Sequence, residues 1–117
     1  MRIFLVEPVN NFDMTPAEKY GELVMLFTER INPLRVPISN ICKALEVNNF
    51  DADIDVLCLT GRSTTLALLM SAATYNYGLP LKALMFDSRT KEYNERILDD
   101  TSKEIEALKG ATEGSCI

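Results

Sequence analysis

The sequence predicts a compact three-layer α/β fold with a mainly parallel sheet, and three observations predict it. The run IDVLC at 54–58 is apolar, too short for a helix and bounded by turn residues, which suits a strand covered on both faces. It leads through the turn TGRS into LALLMSAATYNYG, apolar around most of its circumference, as a helix packed on a sheet is. The same alternation of short and long apolar patterns recurs along the chain, giving the order strand, helix, strand, helix, strand, helix, strand of parallel strands joined by right-handed crossovers.

Each element has its own local signal. MRIFLVE, with Ile3 and Leu5 alternating, predicts a first strand, and the Pro, Asn and Asp of EPVNNFD predict a loop after it. Thr15-Pro16-Ala17-Glu18 has the form of a capping box with Pro at the first helical position, and Tyr20, Leu23, Val24, Phe27 and Ile31 recur at helical spacing. PLRVPI alternates Leu34, Val36 and Ile38 but contains Pro37, so it predicts a short or edge strand. Ser39 is placed to cap a second helix through Ile41, Cys42, Leu45 and Val47, which NNFDAD ends. The helix from Thr64 to Tyr77 stops at Gly78-Leu79-Pro80. LKALMFD predicts another strand, while KEYNERI reads equally as an edge strand or as the start of a helix. Thr101 to Glu104 forms a second capping-box pattern, with Gly110 ending a short helix. Together these predict one Rossmann-like domain over 1–110 and a flexible tail at 111–117.

Composition narrows the chemistry. With no His, Ser-His, Cys-His and His-metal mechanisms are excluded. Three cysteines, Cys42, Cys58 and Cys116, stand far apart with no CxxC pair, so neither a zinc site nor a disulfide framework is expected. A net charge of −5 argues against broad, salt-driven binding to duplex nucleic acid. It leaves room for a local cationic site, since Arg62, Lys82, Arg89, Lys91 and Arg96 fall around the central turn. No apolar run reaches the ~18 residues of a membrane span, and MRIFLVEPVNN lacks the pattern of a secretory signal. A cytoplasmic protein without membrane contact is expected. Asp99-Asp100 precede a predicted helix as an N-terminal cap would, so no metal and no cofactor are assigned.

The turn LTGRSTT carries the functional expectation. In open α/β sheets, ligands bind beyond the carboxyl ends of the strands, where the next helix presents unpaired N–H groups. Gly61 allows a sharp turn and a close ligand approach, Ser63 or Thr64 can cap the helix, and Arg62 offers a planar cationic fork for phosphate or carboxylate. The same residues also suit an ordinary strand-to-helix turn with no ligand. Neither GxxxxGK[ST] nor GxGxxG is present.

The segment DVLCLTGRSTTLALLMSAATYNYGLPLKALMFD resembles the part of CRISPR-associated Rossmann fold (CARF) domains in which an apolar strand ends in a TGGTK-type turn before a helix and another strand. Thr60 and Gly61 match that turn, Arg62 stands at its second Gly, Ser63 replaces Thr, and Thr64 stands where Lys is frequent. The resemblance implies a homodimer that binds a cyclic oligoadenylate across its two-fold groove, in an antiviral signalling role. The groove would be lined by Gly61, Arg62, Ser63 and Thr64 with Pro8, Asn10 and Asn11 of the first-strand loop. The protein would sequester this messenger or, as a metal-independent ring nuclease, cleave it slowly through the ribose 2′-hydroxyl, with no catalytic base assigned.

Two other classes remain open on the residues. MRIFLVEPV with the later YGLPLKAL is similar to nucleoside deoxyribosyltransferase-like proteins, whose carboxylate nucleophile would here have to be Glu7 or Asp87; strand-end acids also serve simply as solvated groups or caps. Tyr75, Tyr77, Leu79 and Pro80 can either close the core or extend an apolar surface for a second subunit of a non-catalytic scaffold.

Overall fold

A computed structural model of the protein describes residues 1–9 and 14–99. They form a five-stranded sheet with β1 (Arg2–Leu5), β2 (Glu22–Met25), β3 (Val56–Cys58), β4 (Leu81–Asp87) and β5 (Glu92–Leu98), in the order β2-β1-β3-β4-β5. The first four strands are parallel, and β5 runs antiparallel to β4, paired from Asp87 with Glu92 to Leu81 with Leu98. The helices are α1 (Thr15–Glu18), α2 (Ile38–Val47) and α3 (Ser63–Tyr77). The chain is thus an α/β protein with a mixed, mostly parallel sheet.

Alternation along the central strands sorts the core into two layers. Phe4, Val6, Leu57 and Leu81 face α2 and α3 and pack with Ile41, Leu45, Leu69, Ala72 and Ala73. Ile3, Leu5, Val56, Cys58 and Leu84 face the other way, with Ala17 of α1 and Tyr93 of β5. Phe50 locks the first layer by edge-on contacts with Phe4 and Tyr77, each with ring centroids 5.0 Å apart.

Three expectations are corrected. The helix predicted from Thr15 to Ile31 ends after one turn, at Glu18, and the chain enters β2 instead. Gly21 makes this change of course: it sits with its backbone against the Met1 carbonyl, where a Cβ would collide, so the chain lies flat against the start of β1. Leu23 and Val24, read as one helical stripe, instead pair with Ile3 and Phe4. The strand predicted at PLRVPI is a turn, with the Arg35 and Val36 amides donating back to the Asn32 carbonyl. Finally, α2 starts at Ile38 with Pro37 at its N-cap, so Ser39 lies inside the helix rather than capping it. The ambiguous segment KEYNERI is strand. The helix predicted from Thr101, the tail at 111–117 and Cys116 lie outside the described residues.

The amino-terminal end of the sheet is tied by Asp55, which is 3% exposed. Its carboxylate accepts from the Arg2 amide at 2.9 Å, the Asp51 amide at 2.9 Å and Arg2 Nη2 at 3.2 Å. Burial pushes this carboxyl up, but the hydrogen bonds from Asp51 and Arg2 and the charge of Arg2 outweigh it, so it titrates below its usual range. No helix among the described residues is long and apolar enough to cross a membrane.

Candidate functional site

The strand order reverses at β1, whose two neighbours are β2 on one side and β3 on the other. Connections leave the carboxyl ends of β1 and β3 in opposite directions there, which opens a crevice in sheets of this kind. One is present, about 200 Å³, lined by Glu7 and Pro8 after β1, Gly61, Arg62 and Thr65 after β3, and Arg30 from the loop that follows β2. Gly61 adopts φ +129°, in the region that side chains avoid, and this turns the chain sharply from β3 into α3. Its surroundings are open, the nearest atom to a built Cβ being Val9 Cγ2 at 3.8 Å, so the glycine serves the turn rather than the space.

Arg62 and Glu7 meet across the crevice. The guanidinium donates from Nε to Glu7 Oε2 at 3.0 Å and from Nη2 to both carboxylate oxygens, and Nη2 also donates to the Ile31 carbonyl at 2.7 Å. Glu7, 6% exposed, accepts in addition from the Ile31 amide at 3.2 Å, and Arg30 Nε lies 4.0 Å from Oε2. Hydrogen bonding to Glu7 raises the Arg62 pKa above its already high ordinary value, against a smaller opposing effect of burial. Two guanidinium groups therefore share one carboxylate. Arg62 Nη1 makes no hydrogen bond among the described residues. The first turn of α3, fifteen residues long, has no side-chain cap and no acidic residue, so its amides add a positive end to the same region.

Of the residues expected to bind a ligand, Pro8, Gly61 and Arg62 line this crevice. Ser63 and Thr64 head α3 on its exposed side, outside the lining, while Thr65 takes the inward place and donates from Oγ1 to the Arg62 carbonyl at 2.9 Å. Asn10 and Asn11 lie outside the described residues. Arg30 and the pairing role of Glu7 were missed by sequence reasoning. Glu7 had a usable signal, an acid directly after the apolar end of a central strand and level with an Arg after the next. Arg30 had none, because its loop was read as helix.

Glu7 does not stand ready as a nucleophile, since both oxygens already accept from Arg62. Asp87 takes part in the β4–β5 turn, accepting from the Arg89 amide at 2.9 Å. Cys42 and Cys58 are free thiols, and burial pushes the Cys58 thiol up, away from reactivity at neutral pH. No cluster of three metal-ligating side chains occurs among the described residues.

A mixed, mostly parallel α/β sheet with a charged crevice at the reversal of strand order is the class of architecture this chain adopts. Within it, the chain belongs to the phage Pam3 gp32-like protein family, whose family model matches residues 4–100. That membership overturns the CARF resemblance and the CRISPR setting that came with it, and no CARF family is detected. The residue that departs from the CARF turn has a physical role of its own: Arg62, at the second Gly, is pinned by Glu7 and Ile31. No curated protein and no solved structure matches the chain.

Proposed function

We propose that this phage-family protein binds the phosphate group of a small nucleotide in the crevice between β1 and β3, on a Rossmann-like parallel core, and holds it without turning it over. The observation that carries this reading is the two-to-one ratio of guanidinium to carboxylate at Arg30, Arg62 and Glu7, with Nη1 of Arg62 uncommitted, among the described residues. Glu7 fixes the plane of Arg62, so a phosphate meets a preset fork instead of a mobile side chain. The amides at the start of α3 support the same choice of anion. Binding rather than catalysis is favoured by the lack of His and the engagement of Glu7, which leave no general base at the crevice among the described residues.

A volume of about 200 Å³ suits a phosphate with part of its sugar, less than the ~300 Å³ at which whole-ligand pockets begin. A cyclic oligoadenylate belongs to the same chemical class but exceeds one such crevice, and would require a groove shared by two copies. Calorimetric titration with inorganic phosphate, AMP, ATP and cyclic tetra-adenylate tests the reading. Binding of AMP or ATP that is lost in Arg62→Lys, which keeps the charge and removes the fork, is the expected result. Absence of heat with all four probes would overturn it.

A further inference from the structure

We infer that β5 is a self-association edge, and that two copies of the chain join their sheets there about a two-fold axis through Asn94. Among the described residues β5 closes one side of the sheet with seven residues, against four in β2 at the other side. Apart from Tyr93, which is buried, and Leu98, which is half-buried, its residues are exposed. A strand in this position presents a row of backbone donors and acceptors to any second strand. The pattern of side chains selects its partner. Glu92, Asn94 and Arg96 lie on one face of the strand because side chains alternate. In an antiparallel pairing with a second copy, centred on Asn94, residues equally far from the axis stand opposite one another. Glu92 then faces Arg96 of the second copy, Arg96 faces Glu92 of the second copy, and the two Asn94 amides meet at the axis.

Both charged side chains are free for this. Neither Glu92 nor Arg96 forms an ion pair or side-chain hydrogen bond among the described residues. On the opposite face Ile97, 65% exposed, comes level with Lys91 of the second copy, whose aliphatic stem can cover it. The self-complementary order Glu, Asn, Arg is what a two-fold contact requires, since every residue must suit its own copy's partner position. The opposite pairing of like charges, centred on Glu95 or on Arg96, is disfavoured by the same charges. This inference does not rest on the nucleotide reading, because β5 contributes no residue to the crevice.

The test is the mass of the full chain in solution by light scattering over a wide concentration range, for the unaltered protein, Glu92→Arg, and the double exchange Glu92→Arg with Arg96→Glu. A dimer is expected for the first, a dissociation constant raised about tenfold or more for the second, and recovery for the third, in which the charges are exchanged but still complementary. Circular dichroism confirms that each exposed change leaves the fold in place. A monomer at every concentration would overturn the inference, as would coverage of this edge by residues 100–117, which would give that same monomer. A dimer indifferent to Glu92→Arg would overturn it too, by placing the contact elsewhere.

Discussion

Asp55→Asn removes one charge and one acceptor from the knot that joins the start of β1 to the start of β3, while keeping the shape of the side chain. The carboxylate serves three donors, the Arg2 and Asp51 amides and Arg2 Nη2. Asn has one oxygen to offer them, and its NH2 must face a donor on the other side. A hydrogen bond to a charged acceptor contributes about 1.5–3 kcal/mol, so the loss of one with its donor left buried costs about 2 kcal/mol. In a domain of this size that lowers the melting temperature by roughly 8 °C. The dependence on pH separates this cause from others. Because the folded carboxyl titrates below its ordinary 3.8, its contribution is complete above that value and is lost as pH falls through the folded pKa. Asn does not titrate, so the gap between the two proteins, wide at neutral pH, should close under acid conditions. Urea melts followed by circular dichroism at both pH values measure it. Equal midpoints at neutral pH, or a gap unchanged by acid, would refute the reasoning.

The site gives two further expectations. Gly61→Ala meets no steric obstacle but forces a side chain into φ +129°, so it should cost about 1–3 kcal/mol in thermal melts and weaken AMP binding by displacing the start of α3. Arg62→Ala should destabilise the fold by leaving Glu7 buried without its main partner. Glu7→Gln combined with Arg62→Met should restore part of the lost stability, and urea midpoints of the single and double variants show whether the two residues act as a unit.

The sequence made the centre of this fold legible because burial on both faces leaves a plain trace. Val56, Leu57 and Cys58 stand as an uninterrupted apolar run, and α3 announces itself by length and by its Gly78 stop. The first half was harder. Leu23 and Val24 satisfy helical spacing as well as they satisfy a half-buried edge strand, and what distinguishes the two is pairing with β1, with Gly21 lying close against Met1, contacts distant along the chain. The turn at Asn32 to Val36 escaped for a related reason: three alternating apolar residues imitate a strand, yet Leu34 is 93% exposed. At the site, the Gly-Arg turn could be read, whereas the partner of Arg62 could not. Residues 7, 31 and 62 become neighbours only through the strand order.

That meeting of three segments changes what the loop between β2 and α2 is. Residues 26–37 contain no helix or strand, yet the Leu26 and Phe27 amides extend the pairing with β1, donating to the Leu5 and Val6 carbonyls. Ile31 is held at both its amide and its carbonyl by the Glu7–Arg62 pair, and Val36 is turned back onto Asn32. A long connection fastened at its beginning, middle and end is a wall, not a lid. A nucleotide bound there as proposed would find one side of its berth already standing, and would spend little binding energy on bringing the chain to order.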